Sequence, residues 1–184
     1  MRSRLRSFSI LRIENKHARG FYRARPDTAT VLDSATAFLI TDALSAVVDS
    51  GTATSVRRYY AGPAAGKTGT TQNSTDAWFV GYTPSYSMAV WVGYDDAARK
   101  LRGTFRYGGT VAAPIWARTM AQVVRNVPAD TAFARPSTVE YLPLCRDTGL
   151  LATEDCPDTA LYPVNTMLLP GECDEHGGGW LFGW

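Results

Sequence analysis

Ala65-Gly66-Lys67-Thr68-Gly69-Thr70-Thr71 and the two apolar runs behind it, Ala77-Trp78-Phe79-Val80 and Met88-Ala89-Val90-Trp91-Val92, decide the fold. β-Branched and aromatic residues between turn formers predict three strands, at about 66–71, 77–82 and 86–94. The second and third runs carry no charge, which predicts burial on both faces of a covered sheet. Their connections, 72–76 and Thr83-Pro84-Ser85, are short, so an antiparallel meander is the simplest arrangement.

Upstream of the strands the period changes. Asp33 or Ser34 can cap a helix at about 34–50, with Ile40, Leu44, Val47 and Val48 at helical spacing and Gly51 as the stop. Downstream, Pro114 opens a second helix at about 114–127, whose stripe is Trp116, Met120, Val123, Val124 and Val127, and Pro128 closes it. Two extended runs at 9–14 and 21–25 around Asn15-Lys16-His17-Ala18-Arg19-Gly20 read as a hairpin. Beyond Pro128 the pattern dissolves into Pro, Gly, Asp and Thr with three cysteines, a loop-rich tail without a core of its own. The expected fold is α+β, an antiparallel sheet flanked by helices. Residues 1–128 form its body and residues 129–184 a Cys-containing tail.

Composition narrows the function. In 184 residues, 19 Lys and Arg face 17 Asp and Glu, a net charge of +2, with 45% hydrophobic residues. That balance leaves no electrostatic footprint for nucleic acid. No run approaches the roughly 18 to 20 apolar residues of a membrane span. The basic start, Met1-Arg2-Ser3-Arg4-Leu5-Arg6, is followed by too short an apolar run to read as a signal peptide.

Gly66-Lys67-Thr68 invites comparison with a phosphate-binding loop, but the required first glycine falls on Ala61, and a strand rather than a helix should follow. The other chemistry is the Lys-Thr-Gly strand of penicillin-interacting serine acyltransferases. There a lysine supplies positive charge, hydroxyls hold a carboxylate, and an edge backbone N–H serves an oxyanion hole. The neighbouring text carries the same message. Asp76-Ala77-Trp78-Phe79-Val80-Gly81-Tyr82-Thr83-Pro84, Val90-Trp91-Val92-Gly93-Tyr94-Asp95-Asp96, Gly108-Gly109 and Ala112-Ala113-Pro114-Ile115-Trp116 follow in order. With Ala35-Thr36-Ala37-Phe38-Leu39 upstream and Asp147-Thr148-Gly149-Leu150-Leu151-Ala152 in the tail, they resemble the last third of the transpeptidase domain of class A, bifunctional penicillin-binding proteins.

The resemblance implies a partial β-lactamase/transpeptidase-like fold. It also implies a D-alanyl-D-alanine transpeptidase, acting outside the cytoplasmic membrane on peptidoglycan stem peptides and acylated by β-lactams, with no cofactor. Carried over, Lys67 is the cationic partner of a Ser-x-Asn motif, Thr68 and Thr70 meet the donor carboxylate, Gly69 gives clearance, and the Thr70 N–H is an oxyanion donor. Asp76, Trp78 and Trp91 read as core and turn structure.

Two family motifs are missing from this sequence. Lys16, Lys67 and Lys100 have Ile13, Ala64 and Ala97 three residues earlier, so Ser-x-x-Lys is absent. Asn15, Asn73, Asn126 and Asn165 follow Ile13, Thr71, Val124 and Pro163 at two residues, so Ser-x-Asn is absent as well. The expectation is a C-terminal fragment, inactive alone, whose nucleophile belongs to an upstream part. A non-catalytic cell-wall or partner-binding piece is the alternative, and a nucleotide-binding loop a distant third.

No Gly-x-Ser-x-Gly elbow occurs, and His17 and His176 read as solvated loop residues. Cys156-x16-Cys173-x2-His176 with Cys145 suggests a partial Cys3His zinc site, yet Cys145 and Cys156 lack the close pairing usual in such sites. The extracytoplasmic setting implied by the resemblance favours a Cys145–Cys156 disulfide with Cys173 left over and no metal. Free thiols are a further alternative.

Overall fold

The computed structural model describes residues 2–5, 12–15, 17, 20–25, 28–96, 98–126 and 130–176. These residues form β1 (Arg2–Leu5), β2 (Arg12–Glu14), β3 (Gly20–Arg23), β4 (Thr28–Leu32), α1 (Ser34–Asp49), β5 (Ala65–Thr70), β6 (Asp76–Tyr82), β7 (Ser87–Gly93), α2 (Ala112–Asn126), β8 (Val139–Cys145) and β9 (Thr159–Asn165). The fold is α+β, with every strand pair antiparallel.

The anticipated meander is present, in the order β5-β6-β7. Its register sets Lys67 opposite Val80 and Val80 opposite Ala89, then Gly69 opposite Trp78 and Trp78 opposite Trp91. The two-sided burial expected from the apolar runs does not hold. Ala77 and Phe79 are fully buried, whereas Trp78 and Val80 remain 41% and 53% exposed. Side chains alternate across a strand. One face of the sheet therefore packs on α2, and most of the other is uncovered by any described residue.

The packed face centres on Trp116 of α2. It is fully buried, stands edge-on to Phe79 (5.4 Å between ring centres) and to Tyr60 (6.0 Å), and donates its indole N–H to the carbonyls of Gly81 (3.3 Å) and Met88 (3.1 Å). Val48, Ala53, Val56, Ala64, Ala113, Ala117 and Met120 complete this core, with Val90, Val92, Val123 and Val124 packed around it. The helix begins two residues before Pro114, and the expected terminal residues Val127 and Pro128 lie outside the described residues.

Helix α1 starts where its cap predicts: the Asp33 carboxylate accepts from the Thr36 N–H at 2.9 Å. Its buried face is Ala35, Ala37, Thr41 and Val48, and Ile40 is exposed. The helix lies against β5, and its small residues permit that close approach. Thr41 Oγ1 bonds the Tyr82 hydroxyl at 2.9 Å, tying helix to sheet.

At the N-terminus β2 pairs with β3 as the expected hairpin; residues 9–11, 16, 18 and 19 of that reading lie outside the described residues. The β1–β4 pair is not signalled by the sequence. In the tail, β8 and β9 form a hairpin that the loop-rich reading missed, with Val139 and Val164 buried. The hairpin packs on α1, where the Tyr141 hydroxyl donates to the Asp42 carboxylate, and burial with this acceptor pushes the phenol up to about 12.

Trp116→Ala should cost about 3 to 5 kcal/mol, because a cavity replaces the ring at the centre of the core. Val80→Ala, on the open face, should stay within about 0.5 kcal/mol. Chemical denaturation midpoints of the two variants check this, and equal losses would contradict the one-sided core.

Candidate functional site

Lys67, Thr68, Gly69 and Thr70 all lie on β5, an edge strand of the β5-β6-β7 sheet. A strand leads into this segment's turn and a strand follows, so the phosphate-loop alternative fails on context. The pleat divides the four residues. Lys67 and Gly69 share the open face with Trp78, Val80 and Trp91, while Thr68 and Thr70 point to the opposite face.

Lys67 is exposed, and among the described residues its ammonium reaches only the neighbouring Thr68 carbonyl, at 3.3 Å. On the other side Thr68 Oγ1 bonds Thr52 Oγ1 at 2.8 Å, and Thr70 Oγ1 accepts from the Gly108 N–H at 3.4 Å. Gly108 lies flat on the β5–β6 ladder. A Cβ there would fall 2.1 Å from the Trp78 carbonyl oxygen and 2.9 Å from that of Gly69, which no side chain can do. The Gly108-Gly109 pair thus backs the strand that carries Lys-Thr-Gly, a part that the sequence reading used only as a marker. At Gly69 a Cβ would meet Trp78 Cβ at 3.2 Å, so glycine keeps the open face low beside Lys67.

The backbone direction follows from one bond. The Thr71 N–H donates inward to the Asp76 carbonyl at 3.3 Å. Successive residues of an antiparallel strand alternate their hydrogen-bonding direction. The Thr70 N–H therefore points away from β6, to the outer edge, where no described strand pairs with it.

The turn after β5 is held by its own side chains. Thr71 Oγ1 accepts from the N–H groups of Thr75 and Asp76, both at 3.1 Å. Asp76 accepts the Thr75 hydroxyl at 2.6 Å and the Trp91 indole N–H at 2.8 Å. These bonds, Thr75's first, hold the Asp76 carboxyl below its ordinary range. Asp76 accordingly braces the turn, as expected, whereas Trp78 and Trp91, read as core, lie on the open face, each 41% exposed.

The cysteines and His176 depart from expectation. Cys145, Cys156 and Cys173 are free, so the expected Cys145–Cys156 disulfide is not formed. His176 is no solvated loop residue: its Nδ1 lies 3.3 Å from Cys145 Sγ and 3.4 Å from Cys173 Sγ. With Cys156 they form, among the described residues, a group placed to hold a metal ion.

This antiparallel sheet, backed by α2 and carrying Lys-Thr-Gly on its outer edge with a glycine pair behind it, has the fold of the transpeptidase domains. Residues 12–121 match the family described as the penicillin-binding protein transpeptidase domain, and the chain belongs to that family. It is 38% identical over 127 residues to penicillin-binding protein 1A of Pseudomonas aeruginosa, covering 69% of this chain and 15% of that one. It is 32% identical over 172 residues to penicillin-binding protein 1A of Clostridium tetani, covering 90% of this chain and 20% of that one. The crystal structure of penicillin-binding protein 1A from Haemophilus influenzae superposes with a TM-score of 0.73 at 22% identity, over 90% of this chain and 30% of that one. The chain thus spans a fifth or less of the curated relatives named here.

Gly108→Ala should disturb the β5–β6 ladder and cost about 1 to 3 kcal/mol, because backbone rather than side chain must yield. Gly171→Ala, where a Cβ meets nothing within 4 Å, is the control and should leave the melting temperature unchanged. A Gly108→Ala melt equal to the parent's would remove the backing role.

Proposed function

We propose that this chain supplies the Lys-Thr-Gly strand of a D-alanyl-D-alanine transpeptidase centre, extracytoplasmic, acting on peptidoglycan stem peptides and open to β-lactams. The observation that carries the reading is the Thr70 N–H aimed at an outer edge that no described strand pairs, beside the exposed Lys67. An extended donor peptide would add to that edge as a further strand. Its terminal carboxylate would be met at the strand edge, by the Lys67 charge from the open face and by the Thr68 and Thr70 hydroxyls from the backed face, and the Thr70 N–H would help to stabilise the oxyanion formed on the scissile carbonyl. Residues 1–128 would be the transpeptidase portion and 129–184 the appended tail.

The open face supports the same reading. Trp78, Val80, Ala89 and Trp91 around Lys67 form an apolar surface of the kind that another part of a domain covers. Acyl transfer needs a nucleophile and a base, and this sequence holds neither Ser-x-x-Lys nor Ser-x-Asn. The serine that attacks the donor carbonyl, expelling the terminal D-alanine, would come from a segment carrying those motifs and packed on the open face. In its absence the chain is a non-catalytic binding piece.

Incubation with a fluorescent penicillin, denaturation and gel analysis should show no labelled band for the chain alone. Joining it to a segment bearing Ser-x-x-Lys and Ser-x-Asn should produce labelling, which Lys67→Ala reduces. Fold-dependent covalent labelling of the chain alone, or labelling of the joined protein that ignores Lys67→Ala, would overturn the proposal.

A further inference from the structure

The tail brings four ligands to one point from three separate stretches of chain. Cys145 ends β8, Cys156 follows the 150–155 segment, and Cys173 and His176 lie beyond β9. Backbone bonds make the meeting place. Leu151 bridges strand β8 at Leu144 on one side and Glu172 on the other. Cys145 N–H donates to the Leu150 carbonyl at 2.9 Å and Cys173 N–H to the Leu151 carbonyl at 2.8 Å. The close pairing absent from the sequence is thus made in space, around Leu151, and the one short pair, Cys173 and His176, is a Cys-x2-His.

The ligand atoms of Cys145, Cys156, Cys173 and His176 lie within 4.8 Å of one another, with Cys145 and Cys173 buried and the other two half-buried. Zinc bonds of about 2.3 Å to sulfur and 2.0 to 2.1 Å to nitrogen give a tetrahedron with S···N edges of about 3.6 Å. The observed Sγ···Nδ1 separations of 3.3 and 3.4 Å are close to those edges. A disulfide, at about 2.05 Å, would satisfy two sulfurs and strand the third. We propose that Cys145, Cys156, Cys173 and His176 form a structural, closed Cys3His site for one zinc ion.

The surroundings fit a metal centre. His176 turns its Nδ1 to the sulfurs and its Nε2 to the Asp147 carboxylate at 3.6 Å, the orientation by which a carboxylate fixes a ligating imidazole. The thiolates have donors of their own: the Thr153 N–H reaches Cys156 Sγ at 3.3 Å, and the Thr148 hydroxyl reaches Cys173 Sγ at 3.5 Å. Three thiolates and one imidazole favour zinc over hard cations, and four protein ligands leave no open position for catalysis. The need is visible too. Among the described residues, the tail has a two-stranded hairpin and little buried apolar surface, while Leu161, Met167, Leu168 and Leu169 are exposed. A hairpin of that size is marginal without a staple, and a metal that joins its three stretches supplies one.

The 184-residue chain, expressed with zinc in the medium and purified without chelator, should hold one zinc per chain by elemental analysis after dialysis. Cobalt(II) added to the metal-stripped chain should give the ligand-field and sulfur-to-cobalt bands of a tetrahedral thiolate site. His176→Cys should keep the metal and shift those bands, and Cys156→Ser should lose it, whereas Lys67→Ala should retain a full equivalent. Three titratable thiols in a metal-free chain, a mapped disulfide with one thiol left, or zinc retained equally by Cys156→Ser would each overturn the proposal. None of these readouts depends on transpeptidase activity.

Discussion

The burial of Trp116 against one face of the β5-β6-β7 sheet is the constraint on which the rest of the structure depends. The indole fills the space over Gly81, stands edge-on to Phe79 and Tyr60, and satisfies its N–H on two carbonyls of adjacent strands. A ring that size can be lodged on one side of the sheet only. With it and α2 committed there, alternation along the strands sends Trp78, Val80 and Trp91 to the other side, and Lys67 with them. The packing that holds the fold therefore selects which face presents the charge.

Edge and face play separate parts at the site. The pleat gives Lys67 to the open face and Thr68 and Thr70 to the backed face, where Thr52 and Gly108 hold the hydroxyls in place. The outward Thr70 N–H lies between the two. A strand at a sheet edge exposes its backbone groups to any extended chain, and proteins usually blunt such edges. Here no described strand covers the edge beside an exposed cation, an arrangement that suits recognition of an anionic peptide end better than it suits stability.

Much of this was legible in the sequence, for identifiable reasons. The three strands could be found because each run is bounded by turn formers, and the start of α1 because Asp33 is a free-standing cap. The buried face of α1 was legible only in part: Val48 is buried and Val47 packs on the core as the spacing predicts, but Ile40 is exposed, and against β5 the helix packs by Ala35, Ala37 and Thr41, since proximity to the strand favours small residues over large ones. The two-sided burial failed because continuous apolar runs report what both faces can bury, without saying what lies across from them. The tail hairpin was hidden by Pro143 and Pro163, which break the strand signal while sitting within β8 and β9.

The convergence in the tail was hidden for a different reason. Spacing rules for metal sites assume that ligands come as close pairs on one turn, and here one pair is made by register instead, through Leu151 lying between β8 and Glu172. No period in the sequence encodes that bridge, because it depends on where β9 returns the chain. Once the bridge forms, Cys145 and Cys173 are buried together, and both sulfurs face the His176 Nδ1. The body of the chain answers the same problem of limited core with Trp116, packing one large ring where several small ones would not reach. The described residues of the tail bury no such ring, and their stability has to come from bonds rather than from area.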